Sequence, residues 1–584
     1  MADSIRLTGD PRLDDTADCD ESAPLTGEKQ LVSSNKPWPG LTLPHFNGNA
    51  AVLGRLKRTV LVLTPSFLTT HTATTPSKSG IAALDGLRGL ACLFVFNEHY
   101  VICYQSRETQ TWIMRVPFIR LLWYGKAAVF LFFVISGYVL SYKPLKLMRS
   151  KSYLDFQKAI SSSFLRRAMR LYLPCLIVSL FVCGLTYLGL FDESSRIYND
   201  YSTFVFLKEE PPPRLNLYGQ LLGYLGNVDF LFSATIPFDR DTDVHNYFMY
   251  DDHQWTIPKE FRSSMAVFAV LVTTSRMRSV PRMATIAALA CYSLSTYRLY
   301  TSLFFAGMLC AEFDLIRQAY YSKSDQLLPG NQDEKQTGSW RHLLHLPDVV
   351  PKLFWTVLFT LGVFMISSPQ EIQLTPNYLP TLFASWGISD IDNTLLMVGS
   401  IFTVWSVATC PSLAPLFNNP FVCYLGKISY ALYLVHGTVI KSLGYRVLPW
   451  TLRIATWAPS DLTLNLEWWQ GVQDHQKVIA HIMGWCFVGT TCFWLSDLFW
   501  RFVDIPCVAF ARRVEGWVTH PVDNDNAESS RSGITSQTSM ARIVDHRRRA
   551  ASMGHQGDAF RANHFQEHPS SASASQEGSK RKNG

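Results

Sequence analysis

The sequence predicts an all-α integral membrane protein with about ten transmembrane helices and disordered polar termini. Composition gives the first indication, because 48% of the 584 residues are hydrophobic, 13% are aromatic and only 17% are charged. That balance is too apolar for a chain of soluble domains. The apolar residues are also concentrated in the middle of the chain, since residues 1–79 and 514–584 are polar. Long hydrophobic runs in this middle part are the third indication.

Ten hydrophobic runs follow one another along the central part of the chain. Several are shorter than the roughly 18–20 residues that a helix needs to cross the hydrocarbon core. The runs at 263–275 and 282–296 therefore fit a membrane span least well. Read as ten helices, the runs are 84–104, 126–142, 166–190, 263–275, 282–296, 299–316, 352–367, 394–410, 421–442 and 479–502.

Basic residues between the runs predict the orientation of the chain. Short cytoplasmic loops carry an excess of Lys and Arg. With a cytosolic N-terminus, the inner loops are basic and the outer loop 369–393 has no Lys or Arg, although the outer loop 105–125 has three Arg. We therefore expect both termini to be cytosolic and segment 191–262 to lie outside. The inner-loop residues are Lys143, Lys146, Arg149, Lys151, Lys158, Arg276, Arg278, Arg282, Arg317, Lys323, Lys335 and Arg341.

This distribution predicts three regions. Residues 1–79 form a polar cytosolic tail that has no signal peptide, so the first span is expected to direct insertion. Residues 80–513 form the multi-pass membrane domain. Residues 514–584 are basic and rich in Ser, with too few apolar residues to bury a core, and are expected to be disordered.

Charge and cysteine patterns argue against several other functions. The formal net charge is +7, but the excess basic residues lie beside the spans and in the tail at 547–549 and 580–582. In these positions they help to set the orientation of the chain in the membrane, and they do not predict a nucleic-acid partner. The twelve cysteines include no C-x-x-C pair, which gives no sign of a metal or redox site. The acidic stretch 239–250 lacks the Gly and Glu that a calcium loop requires.

Ionisable residues interrupt the first hydrophobic run. Such residues are costly in a membrane helix and usually face a bundle interior or a wet cavity. Arg88 and His99 are separated by about three turns, or about 16 Å, on one helix face. A guanidinium near the cytosolic end suits a phosphate or carboxylate, and a deeper imidazole suits a general base. Alternatively, Arg88 snorkels to the interface and His99 hydrogen-bonds a neighbouring helix.

Six segments, in order along residues 80–513, resemble motifs of the membrane acyltransferase 3 family, particularly its fungal members. Two residues depart from the family pattern, because Lys259 stands where a small apolar residue is expected and Ser263 where fungal members often have Gly. The matching segments are Leu84–Gly89 with the spacing from Arg88 to His99, Phe132–Tyr138, Arg166–Pro174, Gln254–Phe261, Ile428–His436 and Phe502–Pro506.

The resemblance implies that residues 80–513 are a membrane-embedded O-acyltransferase domain. Such an enzyme moves an acyl group, here expected to be acetyl, from acyl-CoA to a hydroxyl of a carbohydrate or a lipophilic small molecule. Acyl-CoA is then a co-substrate, and no metal or other cofactor is expected. The bilayer is the remaining partner, with the endomembranes and the plasma membrane both left open.

The resemblance also implies roles for individual residues. His99 is expected to be the general base, and Glu260 to orient either the acceptor or His99. The arginines are expected to hold the phosphates of acyl-CoA, since Arg binds phosphate with two parallel hydrogen bonds. The implied substrate-binding residues are Arg88, Arg166, Arg167, Arg170 and His436.

Each of these roles has an alternative. Arg166 and Arg167 also fit a topology signal, Glu260 fits an exposed loop carboxylate, and His436 fits a hydrogen bond between helices. Ser136 is not expected to be a nucleophile, because no Gly-x-Ser-x-Gly motif surrounds it, and the following Gly indicates close helix packing. For the whole chain, the rival functions are a multi-pass transporter and a catalytically inactive membrane sensor or scaffold.

Overall fold

The structure, a computed structural model, describes residues 63–66, 80–102, 114, 116–201, 209–233, 249–326, 349–367, 390–459, 464 and 466–519. Within these residues every regular element is helical, which confirms the predicted all-α class. Most of the two predicted polar tails and of the acidic stretch 239–250 lies outside them. The described residues up to Glu515 form one compact unit.

The helices follow the hydrophobic runs, and each of the ten runs overlaps one of them. Short 3-10 helices at Arg120–Trp123 and Asp252–Trp255 precede α2 and α6, and π-helices at Ile440–Gly444 and Trp500–Asp504 continue α12 and α15. The α-helices are α1 Gly80–Ile102, α2 Gly125–Arg149, α3 Tyr153–Tyr187, α4 Asp192–Tyr201, α5 Leu217–Ser233, α6 Thr256–Thr273, α7 Ser279–Ser295, α8 Leu299–Gln326, α9 Val349–Ser367, α10 Ile391–Thr409, α11 Ala414–Phe417, α12 Pro420–Val439, α13 Tyr445–Thr456, α14 Leu466–Gly471, α15 Asp474–Phe499 and α16 Ile505–Val518.

Local sequence explains where two of the long helices begin. Asn419 accepts a hydrogen bond from the Val422 backbone N–H, and Pro420 occupies the first helical position of α12. Asp390 caps α10 in the same way through the Asn393 N–H. Asn and Asp are favoured at this position because their side chains satisfy backbone donors that have no partner inside the helix.

Five candidate spans among the described residues are long and apolar enough to cross a bilayer, which supports a membrane protein. An apolar helix at Pro351–Ser367 is shorter. The count of ten spans stays a prediction. The five are Gly125–Arg149, Tyr153–Tyr187, Leu299–Tyr320, Ile391–Thr409 and Asp474–Val518.

Helices α1 and α12 run parallel at the centre of the bundle. The Arg88 Nη2 donates to the Gly426 carbonyl at 3.1 Å, and further along both helices the rings of His99 and His436 lie 5.3 Å apart. Residue numbers therefore rise in the same direction on the two helices. This alignment places Arg88 and His99 of α1 on the side that faces α12.

Helix α15 packs against α1 in the opposite direction. The Asn97 Oδ1 accepts from the Trp485 indole N–H at 3.0 Å, whereas the Tyr100 hydroxyl donates to the His481 carbonyl at 2.9 Å. The two helices are thus antiparallel. Helix α1 is enclosed by α2, α10 and α12, and α15 contacts its C-terminal part, which explains how it can carry charged residues away from lipid.

Glycines allow two pairs of helices to approach closely. A Cβ at Gly89 would lie 2.4 Å from the Gly426 backbone nitrogen, and one at Gly137 would lie 2.1 Å from the Phe304 carbonyl oxygen. Both distances are well below van der Waals contact, so only glycine fits. The α1–α12 and α2–α8 interfaces are therefore of the small-residue type found between membrane helices. The close packing predicted from Gly137 is confirmed.

A short N-terminal segment is fastened to the last long helix. The Ser66 hydroxyl donates to the Asp497 Oδ1 at 2.5 Å, and the Ser66 backbone N–H donates to its Oδ2 at 3.1 Å. Arg501, one turn along, pairs with Asp497 and donates to the Thr64 carbonyl. We call this contact the terminal clasp. It joins chain segments that lie 431 residues apart.

Gly89→Ala is expected to destabilise the bundle by about 1–3 kcal/mol, because the new methyl group meets backbone that cannot move aside. Gly184→Ala is the matched control, since a Cβ there meets nothing within 4 Å and Ala favours the helix. Unfolding of the detergent-solubilised variants should be followed in mixed micelles. Equal stability of the two variants would contradict close packing at Gly89.

Candidate active site

His99 is held by a buried carboxylate from a distant loop. Its Nδ1 lies 2.5 Å from the Glu209 Oε1, and Glu209 is only 7% exposed. The Glu209 backbone carbonyl also accepts from the Tyr445 hydroxyl at 2.6 Å, which fixes the loop in place. A carboxylate at Nδ1 keeps the proton on that nitrogen and directs Nε2 away from Glu209. The imidazole therefore has the orientation of a general base.

His253 bridges two carboxylates next to this pair. Its Nε2 lies 3.1 Å from the Glu209 Oε1, and its Nδ1 lies 2.7 Å from the Asp251 Oδ1. Burial alone would lower the pKa of His253, but Glu209, Asp252 and Asp251 outweigh burial and raise that pKa well above its ordinary value. Since carboxylates accept at both nitrogens, His253 is a buried imidazolium.

The Glu209 carboxylate remains charged in spite of its burial. Burial alone would raise the pKa of Glu209, but the imidazoles of His253 and His99 outweigh it and lower that pKa well below its ordinary value. Lys441 adds a further cation, because its Nζ lies 3.9 Å from the Glu209 Oε2 and donates to the Asp252 Oδ1 at 2.6 Å. Lys441 lies on the π-helix after α12, an irregularity that is frequent at functional sites.

His436 completes what we call the histidine cluster, the rings of His99, His253 and His436. Its ring centroid lies 5.3 Å from that of His99 and 4.4 Å from that of His253. The His436 Nδ1 faces the Tyr433 carbonyl at 2.7 Å and donates to it. The Nε2 then carries the lone pair. It is buried and has no hydrogen-bond partner among the described residues.

A cavity of about 180 Å³ lies beside the cluster. Its wall carries more cationic than acidic side chains, so it suits a ligand with negative charge. Aromatic and aliphatic side chains form most of the remainder. The charged lining residues are Arg88, Arg167, Arg170, Lys427, Glu260 and Asp504, and the apolar ones include Val95, Val129, Phe132, Phe133, Ile135, Val139 and Leu140.

The structure separates the predicted site residues into two groups. His99 and His436 lie in the cluster, and Arg88, Arg167, Arg170 and Glu260 line the cavity. Arg166 is outside that lining, and its Nε lies 3.3 Å from the Glu515 Oε2.

Glu260 lies in the cavity wall. The carboxylate that contacts His99, one of the two roles expected for Glu260, belongs to Glu209. The Glu260 Oε1 accepts from the Arg167 Nη2 at 2.9 Å and from the Ser136 hydroxyl at 3.2 Å. Its described contacts thus fix an arginine of the cavity. Arg88 is fixed as well, because its Nε donates to the Ser429 hydroxyl at 3.1 Å.

Tyr433 connects the cavity with the cluster. It lines the cavity, its hydroxyl donates to the His253 carbonyl, and the Thr256 hydroxyl donates to it at 2.6 Å. Val95, which also lines the cavity, lies four residues before His99 on α1. The histidine cluster therefore adjoins the cavity, although its three rings are not part of the lining.

The two departures from the family pattern are accommodated by local contacts. The Lys259 Nζ lies 4.7 Å from the ring centre of Trp255 and 4.9 Å from that of Tyr300, an arrangement that stabilises a buried cation. The hydroxyls of Ser263 and Thr301 lie 3.1 Å apart and share a hydrogen bond.

Sequence reasoning missed the residues that surround the histidines. Glu209 and Asp251 lie in loops, where a single acidic residue is unremarkable. Lys441 did leave a signal, since it is a lysine inside the apolar run 421–442. His253 was also detectable in the sequence, because it immediately precedes the motif Gln254–Phe261.

Comparison with known proteins identifies relatives across most of the chain. The family described as "Acyltransferase domain" matches residues 81–501. O-acetyltransferase PaAT-1 of Phomopsis amygdali is 30% identical over 442 residues, which are 72% of this chain and 82% of the relative. Acyltransferase clz18 of Cochliobolus lunatus is 24% identical over 420 residues, which are 64% of this chain and 86% of the relative. No solved structure matches the chain significantly.

Glu209→Ala is expected to lower the free energy of unfolding by about 3 kcal/mol, because it leaves a buried imidazolium without one of its partners. The neighbouring Glu210→Ala is the control, since Glu210 is exposed and should change stability by less than about 0.5 kcal/mol. Denaturation in mixed micelles measures both variants. Equal effects would show that Glu209 does not hold the cluster together.

Proposed function

This chain belongs to the acyltransferase family that matches residues 81–501, and we propose that it transfers an acetyl group from acetyl-CoA to a hydroxyl group of its acceptor. The observation that carries the proposal is the contact between the His99 Nδ1 and the buried Glu209 carboxylate beside a cationic cavity. Such a pair orients an imidazole for proton transfer.

The proposed reaction is direct transfer in one site. The His99 Nε2 accepts the proton of the acceptor hydroxyl while the hydroxyl oxygen attacks the thioester carbonyl. The C–S bond then breaks, and the imidazolium returns the proton to the CoA sulfur. Glu209 stabilises the imidazolium that forms between these steps. Holding both substrates beside His99 contributes much of the rate.

The cavity supports binding of the anionic donor. Arg170 and Lys427 add positive charge to a wall in which Glu260 is paired with Arg167, and the Arg88 Nη2 lies 3.2 Å from the Asp85 Oδ1. Arginine recognises phosphate through its planar fork of donors. The CoA phosphates are proposed to contact these cations, and the pantetheine arm to extend along the apolar wall toward His99.

The acceptor is proposed to be a carbohydrate or a lipophilic small molecule. Phe132, Phe133 and Val129 give the cavity an apolar surface beside its charged groups, which suits a ligand with apolar parts. A relative with 30% identity is described as an O-acetyltransferase, which supports a hydroxyl acceptor. The intact contact between His99 and Glu209 argues against an inactive sensor.

The proposed topology has ten spans with both termini in the cytosol. The parallel α1 and α12 would be the first and ninth spans, and the antiparallel α1 and α15 the first and tenth. These directions agree with ten alternating spans. The histidine cluster would then lie toward the outer or lumenal side, and Arg88 nearer the cytosol where the donor arrives.

The reaction is tested by incubating membranes that contain the protein with isotope-labelled acetyl-CoA and candidate acceptors. Mass spectrometry should detect a labelled acetate ester of at least one acceptor and an equal amount of released CoA. Movement of a substrate across the membrane without acetyl-CoA would favour the transporter instead.

His99→Ala is expected to lower kcat by about 10²–10⁴-fold, the usual contribution of a general base. Glu209→Gln should lower kcat by about 10-fold or more, because the amide supplies no charge to stabilise the imidazolium. Initial rates at saturating acetyl-CoA measure both effects, and Glu210→Gln is the matched control for Glu209. A correctly folded His99→Ala protein with near-normal kcat would contradict the assignment of the base.

Arg88→Lys is expected to raise the KM for acetyl-CoA by about tenfold, equivalent to about 1.4 kcal/mol of binding energy. The kcat should change little, because Lys keeps the charge but loses the planar fork. Arg214→Lys serves as the control, since Arg214 is exposed and its guanidinium pairs with Asp192. A lower kcat with an unchanged KM would place Arg88 in the chemical step.

A further inference from the structure

We propose that the histidine cluster binds a zinc ion, and that this ion blocks acyl transfer. One ring nitrogen from each of His99, His253 and His436 lies within 4.8 Å of the other two. Imidazole is a preferred ligand of zinc, and three histidines with an open fourth position form a common type of zinc site. The inhibitory part rests on the proposed role of His99 as the base.

The orientation of His436 points to a cation. Its Nδ1–H donates to the Tyr433 carbonyl, so the lone pair is on Nε2, and its ring centroid lies 4.4 Å from that of His253. That nitrogen is buried and finds no donor among the described residues. A buried acceptor without a partner is costly, and a bound metal ion would satisfy it.

The other two histidines have the outer contacts that metal ligands usually have. His99 is oriented by the Glu209 carboxylate at 2.5 Å, and His253 by the Asp251 carboxylate at 2.7 Å. Contacts of this kind fix the orientation of a ligating imidazole and raise its basicity. The cluster thus combines converging nitrogens with supporting carboxylates.

Carboxylates beside the rings provide a fourth ligand and favourable charge. Glu209 and Asp252 each offer an oxygen within 4.8 Å of a His253 nitrogen. Ligands bound at 2.0–2.1 Å in a tetrahedron are about 3.4 Å apart, so the rings need to move by about 1 Å. When zinc binds, it replaces one ring proton of His253, which leaves to water.

Zinc at this position would remove the base from the reaction. An imidazole has two ring nitrogens, and a metal on either one leaves the other protonated. His99 then has no lone pair with which to accept the proton of the acceptor hydroxyl. Transfer should stop while acetyl-CoA still binds at Arg88 and Arg170 in the adjacent cavity.

The site is tested by zinc titration of the purified full-length protein in competition with a chromophoric chelator. We expect one zinc ion per chain. The affinity for zinc should be at least about tenfold weaker in His253→Gln and in His436→Gln, because substitutions that only support metal ligands already weaken binding by about that factor. His475→Gln is the control, because His475 is exposed at the start of α15 and should leave the affinity unchanged. This titration requires no acyl transfer, so it is independent of the proposed reaction.

The inhibitory role is tested by adding zinc to the acetyl-transfer assay. We expect kcat to fall as the site fills, the KM for acetyl-CoA to stay constant, and activity to return when a chelator is added. Affinity that is unchanged in both His253→Gln and His436→Gln would overturn the zinc site. Saturation of the site with no loss of transfer, or with faster transfer, would overturn its inhibitory role.

Discussion

A negative charge buried in a membrane protein must find positive partners inside the protein, and Glu209 imposes this constraint on the site. Its carboxylate, 7% exposed, contacts the ring of His99 and that of His253 and lies near Lys441. These partners come from α1, the 3-10 helix before α6 and the π-helix after α12. Because the buried carboxylate is desolvated, loss of any of these partners would strongly destabilise the fold. The charge therefore stabilises the contact between these distant segments. The geometry of His99 is a consequence of this requirement.

Charge is divided between the two parts of the site. The cavity has an excess of cations, with Glu260 already committed to Arg167, whereas the cluster balances carboxylates against His253 and Lys441. A polyanionic substrate would therefore be held in the cavity and kept from the carboxylates near His99. Tyr433 touches both parts and so joins the cationic cavity to the cluster. Under the proposed function, binding of the anionic donor and proton transfer would take place in these two neighbouring parts of the site.

The sequence predicted the helical class, and it pointed to the candidate site residues Arg88 and His99 on α1. Arg88 and His99 were detectable because ionisable residues in an apolar run are rare, and helical periodicity then placed them on one face. Glu209 and Asp251 were not detectable, because loop residues follow no periodicity and their position depends on tertiary packing. Glu260 illustrates the same limit: the motif Gln254–Phe261 pointed to it, but which cation it faces depends on how α3 and α6 pack.

The terminal clasp has a consequence for biosynthesis. Ser66 leaves the ribosome long before Asp497, because 431 residues separate them. At about 5–20 residues per second, the segment at 63–66 waits roughly 20–90 s for its partner. During that time its backbone and hydroxyl groups must be hydrated or held by another factor. The clasp can close only after the last long helix has been made, so its closure distinguishes a finished chain from one that is still being inserted.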